Sequence, residues 1–281
     1  MTEESPPNQA QLAMWNNVGG QTWADLQEML DRLLQPFETL LIDAAAAAGG
    51  KYVLDVGCGA GGTTLAVARA LGPKSRCTGI DISAPLIAKA TARAAAQGST
   101  DVTFIKADAQ TYGFNAGSFD TVISRFGVMF FDDPEAAFAN IRRAARPKAQ
   151  LAFLAWRSRD ENPFMTTAER AAAPIVKELA MQGVDGPGQF GFASGERVKG
   201  LLEASGWTAI TIRPVDIDCS LPVVELPTYV TRMGPYGRVR NTLDEAARAT
   251  ADSVVLAAFD SFVAGDQARF TSACWLVTAV A

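Results

Sequence analysis

Residues 53–62 read Val-Leu-Asp-Val-Gly-Cys-Gly-Ala-Gly-Gly, and the reading of this stretch decides the fold. Tyr52 to Val56 has the composition of a short buried strand. A cluster of glycines closes it, and Thr63 to Leu71 then has helical character up to Gly72-Pro73. A strand, a glycine-rich turn and a helix in that order open a βαβ unit. Glycine in such a turn adopts positive φ without penalty and lets the main chain approach a ligand closely. The turn is expected to leave main-chain N–H groups free to face that ligand.

The pattern continues outward. Cys77 to Ile80 is a strand ending at Asp81. Ser83 caps a helix running to about Gln97, where Gly98 stops it. Val102 to Ala107 and Phe119 to Ser124 are further strands. Asp133-Pro134 opens a helix to about Ala145, with aspartate as N-cap and proline in the first turn. Leu151 to Trp156 is a fifth strand. Strands separated by helices of this length pair in parallel through right-handed crossovers. Upstream, Leu26, Met29/Leu30, Leu33/Leu34, Phe37 and Leu40/Leu41 form the apolar stripe of a helix over about 22–48, which Pro36 should kink or break and Gly49-Gly50 should end. Residues 1–11 read as a loose tail. Downstream, 157–193 looks helical with a Gly/Pro-rich end, Ser194 to Ser205 is a helix, and Trp207 to Asp218 is a strand. Residues 223–266 are mostly helical, and Arg269 to Val280 is a last strand. The organisation expected is an N-terminal tail and helical lid (1–48), a Rossmann-like α/β core (49–156), and a remainder (157–281). That remainder returns to the core sheet over about 194–222 and 267–281 and inserts helical cap segments over about 157–193 and 223–266.

Three acidic residues sit at successive strand ends. The glycines alone are ambiguous: Gly57, Gly59 and Gly62 fit GxGxxG, the dinucleotide fingerprint, and Gly57, Gly59 and Gly61 fit the GxGxG of S-adenosylmethionine (SAM) enzymes. Asp55 lies two residues before the first glycine. A carboxylate there is an unfavourable neighbour for a pyrophosphate and a favourable one for a cationic amine. Asp81, at the next strand end, suits a pair of ribose hydroxyls in either cofactor class. Asp108-Ala109, after the third strand, offers a carboxylate to an exocyclic amine and a backbone N–H to a ring nitrogen.

Composition narrows the chemistry. The chain has 281 residues, 48% of them hydrophobic, a net charge of −5 and no histidine. Without histidine, the commonest metal ligand and general base are missing and Ser-His-Asp or Cys-His nucleophiles are impossible. No metal site is expected. The acidic balance argues against a nucleic-acid partner. Cys58, Cys77, Cys219 and Cys274 form no CxxC pair and read as buried apolar side chains. The polar, acidic start lacks the features of a signal peptide, and no apolar run reaches the roughly 18 residues of a membrane span. The expectation is a soluble, cytoplasmic protein; oligomeric state is not legible.

The strings VLDVGCGAGGTT (53–64), GIDIS, KADAQ, SFDTVISRFGVMFF and AFANIRRAARP resemble the class I SAM-dependent methyltransferases of the type-11, UbiE-like group, closely over about 50–157 and more loosely elsewhere. The resemblance implies a class I methyltransferase fold: a mostly parallel seven-stranded sheet with a helical substrate cap. It also implies SAM as cofactor. Asp55 and Gly57, Cys58, Gly59 and Gly61 would hold the methionine moiety, with Thr63 following in the same string. Asp81 and Ile82 would hold the ribose and flank adenine, Asp108 and Ala109 would bind adenine, and Ser124, Arg125 and Phe126 would line the sulfonium and the acceptor. Where the family has Arg-Pro-Gly-Gly before the fifth strand, this chain has Arg146-Pro147-Lys148-Ala149, so altered loop geometry is expected there.

Methyl transfer from a sulfonium asks the protein mainly to position and desolvate. Candidates for contact with the reacting groups are Arg125, which can fix an anionic oxygen, and the carboxylates Asp132 and Glu161 as bases. Trp15 and Trp23, flanking Gly19-Gly20, read as a lid over the cofactor. Phe164, Met165, Met181, Phe190, Phe192, Tyr229, Met233 and Tyr236 suit an apolar acceptor pocket, and Arg232, Arg238 and Arg240 read first as a solvated basic face and second as a match for an acidic substrate. The expected partner is a small-molecule acceptor, apolar or aromatic, with O-, C-, N- and S-methylation open. Two rival readings remain at this level: a SAM-fold protein that binds the cofactor without methyl transfer, and an NAD(P) oxidoreductase.

Overall fold

A computed structural model describes residues 7–179 and 186–281. The helices α1 (Gln9–Asn16), α2 (Val18–Asp25) and α3 (Gln27–Ala47) come first. Then follow β1 (Tyr52–Val56), α4 (Gly62–Leu71), β2 (Arg76–Asp81), α5 (Ala84–Ala96), β3 (Val102–Lys106), β4 (Phe119–Arg125), α6 (Pro134–Ala144), β5 (Ala145–Trp156), α7 (Pro163–Ala172) and α8 (Gly195–Ala204). β6 (Thr208–Pro222), α9 (Leu226–Arg232), α10 (Gly234–Val239), α11 (Glu245–Ala258), β7 (Val263–Ala264) and β8 (Gln267–Val280) complete the chain.

The sheet runs β3-β2-β1-β4-β5-β8-β6, with β7 paired to β8 alone. β1 to β5 pair in parallel, and β8 lies antiparallel between β5 and β6. The strand order reverses between β1 and β4, which is where open α/β sheets place their ligand crevice. This is the mostly parallel architecture expected, with one two-residue strand more than the seven foreseen. β1 is buried from Val53 to Val56 because helices cover both faces of the sheet. The apolar stripe of α3, with Phe37 and Leu41 fully buried, packs over the β1–β4 side.

Several boundaries differ from expectation. The single helix foreseen over 22–48 is two helices parted at Leu26, and the longer, α3, continues through Pro36 without a break. Gly49, with φ of 64°, then turns the chain out of the helix. The tail foreseen over 1–11 already carries a buried residue at Asn8 and a helix from Gln9; residues 1–6 lie outside the described residues. At the altered turn before the core of β5, Lys148 takes φ of 69°, the left-handed region in which a glycine sits without strain. Its N–H donates to the Ala281 carbonyl at 3.1 Å, tying the turn to the last residue. In the cap, residues 157–193 hold one helix, α7, and a short 3-10 turn at Lys177–Leu179; Met181 lies outside the described residues.

Candidate active site

A cavity of about 470 Å³ opens at the β1–β4 reversal and extends under the cap. Its floor is the set of strand tips. Asp55 is 1% exposed, and its Oδ2 accepts a 2.6 Å hydrogen bond from the Thr64 hydroxyl at the start of α4. Its other oxygen, Oδ1, is buried without a partner, as is Thr63 Oγ1 next to it. Burial pushes the Asp55 carboxyl up to about 6, against the opposing pull of the Thr64 hydrogen bond and the Arg125 charge. Two orphaned polar atoms on the wall of one cavity call for ligand groups to complete them. A cationic amine suits Asp55, and a carboxylate or amine suits Thr63.

The glycine turn is more occupied than its sequence suggested. The N–H groups of Gly57 and Cys58 both donate to the Ile80 carbonyl, that of Gly61 to Cys58, and that of Gly59 to Asp81 Oδ2 at 2.8 Å. The glycines serve close approach instead. Gly57 has φ of 70°, and a Cβ there would stand 2.7 Å from Gly127 Cα, so the β1 and β4 tips touch. At Gly59 a Cβ would meet nothing, which leaves the turn open to the cavity. Gly61 does not line the cavity; a Cβ there would strike the Phe104 ring at 2.6 Å, so this glycine lets α4 pack against its neighbours.

Asp81 and Ile82 line the cavity at the tip of β2. Asp81 uses one lone pair on each oxygen, accepting from Gly59 N and from Ser83 N at 2.8 Å. This fixes the carboxylate and leaves further lone pairs for a diol. Asp108 is fixed likewise. Its Oδ1 accepts from Gln110 N at 2.9 Å, and its Oδ2 from the Asn8 side chain at 2.8 Å. Asn8 was missed by sequence reasoning. It is 2% exposed and left-handed, it donates to both Asp108 and Gln110, and it exchanges a pair of hydrogen bonds with Asp132. No local pattern marks it, since its partners lie 100 or more residues away.

The tryptophans of the N-terminal helices pack together. Trp15 packs edge-on against Trp23 at 6.0 Å and Phe130 at 5.4 Å, and both tryptophans line the cavity. The Trp15 carbonyl accepts from the Ser83 hydroxyl, and the Asn16 side chain bonds Ile82 O and Ala84 N, so α1 is pinned to the loop after β2.

At the β4 tip the expectations divide. Arg125 and Phe126 line the cavity. Arg125 stands 3.9 Å from Glu38 of α3, and burial lowers the guanidinium's basicity. Phe126 holds φ of 61° and stacks on Trp156 at 3.7 Å, with Phe37 edge-on to both. Ser124 is fully buried beneath, its hydroxyl donating to Val56 O and accepting from Gly127 N, and does not reach the cavity. Neither base candidate lines it. Asp132 is bound to Asn8, and Glu161 is held by Arg157 and Ser158, which draw its carboxyl down to about 2.

Across from the floor, the cap contributes Phe164, Met165, Tyr229, Met233, Tyr236, Phe259 and Phe270. Phe164 stacks on Phe270 at 3.7 Å and is edge-on to Phe259. Phe190 lines the cavity under the Arg159 guanidinium, whereas Phe192 is buried against Phe138 and Phe153. Arg159 pairs with Glu169 at 2.7 Å and Arg232 with Asp25 at 2.7 Å, while Arg240 is fastened to Asp252 together with Tyr236 outside the site. Among the described residues no cluster of three or more metal-ligating side chains occurs, and no helix is long and apolar enough to cross a membrane.

Comparison with known proteins agrees with this geometry. Residues 53–148 match a family model described as a methyltransferase domain. An uncharacterized protein of Mycobacterium tuberculosis is 31% identical over 156 residues, 56% of each chain. Aklanonic acid methyltransferase of a Streptomyces species is 32% identical over 118 residues, 42% of this chain and 54% of that one. The chain thus spans about half the length of the curated relatives it matches. A putative methyltransferase from Bacillus halodurans superposes with a TM-score of 0.56 at 17% identity, covering 86% of this chain and 97% of that one. The matched family model is the general methyltransferase domain and does not single out the UbiE-like branch. Residues 53–148 thus carry a methyltransferase domain, set in a sheet of the same fold as solved SAM-dependent methyltransferases.

Proposed function

We propose that the chain holds SAM in the β1–β4 crevice and transfers its methyl group to a small apolar or aromatic acceptor lodged under the cap. One observation carries the reading: a single cavity joins Asp55, Asp81 and Asp108 at the strand tips to the aromatic wall of Phe164, Tyr229, Phe259 and Phe270. SAM, when bound, supplies an electrophilic methyl group on a sulfonium. The orphaned Asp55 oxygen and Thr63 hydroxyl would take its amino-acid head, Asp81 its ribose and Asp108 its adenine amine. Phe37, Phe126 and Trp156 exclude water beside the transferring group, and their ring faces favour a cation.

The chain's contribution is alignment and desolvation, which supply roughly 7–11 kcal/mol in well-oriented reactions. Asp55 apart, which the SAM amine would take, the acids on the wall are already engaged: Asp31 by Arg93 and Gln27, Asp81 and Asp108 by backbone and Asn8, Glu169 by Arg159. This favours an acceptor atom that ionises without help, such as a carboxylate or an acidic phenol. The name of the Streptomyces relative, an acid methyltransferase, points the same way. Titration calorimetry with SAM, S-adenosylhomocysteine and NAD⁺ tests the cofactor. SAM and its product should bind at least about tenfold more tightly than NAD⁺. Binding of NAD⁺ in preference to SAM would refute the proposal. Methyl-labelled SAM offered with aromatic acids and phenols then separates transfer from binding alone.

A further inference from the structure

The acceptor end of the cavity carries an unbalanced charge. Three guanidinium groups, Arg159, Arg232 and Arg238, line the cap side of the cavity together with one carboxylate, Glu169. The carboxylate is committed to Arg159 at 2.7 Å. Arg238, on α10, makes no ion pair or hydrogen bond to any of the described residues, and the charge it feels is that of Glu169 at longer range. The other cavity-lining arginines differ: Arg125 faces Glu38, Arg159 holds Glu169 and Arg232 holds Asp25. Arg238 is an exposed residue that lines the cavity, and the protein around it lowers its basicity. The same cavity is lined by Phe164, Phe259 and Phe270. An exposed guanidinium without a protein partner keeps its charge and can take a counter-charge from a ligand.

A second polar group shares this wall. The Tyr229 hydroxyl, on α9, has no hydrogen-bond partner among the described residues, and burial keeps the phenol neutral, as a donor. α9 and α10 pack on each other, and both pack on α7, α11 or both. The two groups therefore sit on neighbouring helices of the cap, and both line the cavity.

We propose that Arg238, assisted by the Tyr229 hydroxyl, anchors an anionic group of the acceptor, so that the substrates are aromatic acids or their phenolate equivalents. This rests on the methyltransferase reading of the same cavity. A planar guanidinium matches a carboxylate bidentately, and the aromatic wall takes the ring system. The anchored anion sets the acceptor's orientation toward the β4 tip.

The test uses the full chain saturated with S-adenosylhomocysteine and two probes, anthraquinone-2-carboxylate and its uncharged primary carboxamide, titrated calorimetrically. The wild type should prefer the carboxylate by about tenfold to a hundredfold, as a charge-assisted pair implies. Arg238→Gln should erase that preference while leaving carboxamide affinity unchanged. Arg238→Lys should restore part of it. Arg213→Gln, on the outer strand β6, makes the same net-charge change and should alter nothing. Equal affinity of the wild type for both probes, binding of neither, or equal loss of both in Arg238→Gln would each overturn the proposal. S-adenosylhomocysteine that binds while the acid preference is missing defeats this inference alone. Failure of S-adenosylhomocysteine to bind defeats the cofactor reading beneath it.

Discussion

Asp55→Asn should make the ligand-free protein more stable and the cofactor complex weaker. Asp55 is 1% exposed, one of its oxygens has no partner, and burial pushes its carboxyl up to about 6. In the open chain the same group ionises near 3.9. Folding therefore takes up a proton between these two values. The neutral form is favoured in the fold, so stability falls as pH rises from about 4 to about 6 and is level above that, at a cost of about 3 kcal/mol. Asparagine keeps the shape and can still accept from Thr64, and it removes that cost. The ligand-free variant should gain up to about 3 kcal/mol at pH 7, a rise in Tm on the order of 5–10 °C for a chain of this size, and almost nothing at pH 4. The complex should lose a charge-assisted hydrogen bond to the SAM amine, about 1.5–3 kcal/mol. Thermal unfolding of both proteins from pH 4 to pH 8, with calorimetry of SAM at pH 7.5, reads both effects. A variant less stable than wild type at pH 7, or a gain that does not depend on pH, refutes the burial argument. Undiminished SAM affinity refutes the role of the orphaned oxygen.

Asp81→Ala should weaken SAM by one to two orders of magnitude, about 1.5–3 kcal/mol; unchanged calorimetric affinity in a folded variant contradicts the ribose assignment. Asn8→Ala removes two side-chain donations and the bond received from Asp132 N, leaves Asp108 Oδ2 without its partner, and should cost about 1–3 kcal/mol. Proteolysis near α1 should speed up, and an unaltered digestion pattern would show the latch to be inert. Glu161→Gln should leave turnover with any accepted substrate within about twofold, because surface substitutions of this kind rarely exceed 0.5 kcal/mol; a large fall in kcat with KM unchanged would return Glu161 to the reaction.

The parallel half of the sheet was legible because β1 runs into Gly57, β2 ends at Asp81 and β3 is soon followed by Asp108, and α5 and α6 begin with Ser83 and Asp133 as side-chain caps. The position of β8 was not. Arg269 to Val280 reads as a strand, but nothing local says that it enters between β5 and β6; that follows from its register, Gln150 with Val280 on one side and Pro222 with Gln267 on the other. α1 was missed because Gln-Ala-Gln-Leu-Ala-Met-Trp-Asn has no buried apolar face, and bonds from Asn8, Asn16 and Trp15 to distant loops hold it. Asp132 and Glu161 looked like bases from their chain positions beside strand ends. Their partners, Asn8 and Arg157, turn one into a latch and the other into a loop brace.

The division of labour along the chain also accounts for where the likeness to known proteins lies. Residues 53–148 hold Asp55, the glycine turn, Asp81, Asp108 and Arg125, all within or at the ends of a parallel ladder whose register fixes their spacing. Changing one of those positions disturbs strand tips that touch each other, as Gly57 and Gly127 do. Tyr229, Arg238 and Phe259 sit on α9, α10 and the end of α11, in a segment inserted between β6 and β8. That segment packs largely on itself and α7, so its side chains can change while the ladder stays intact. The charges follow the same partition. On the proposed reading, acids at the strand tips would complement a cationic donor, and Arg238 at the cap an anionic acceptor. The two ligands would then be drawn to opposite ends of one cavity, which Phe126 and Trp156, stacked on each other, also line.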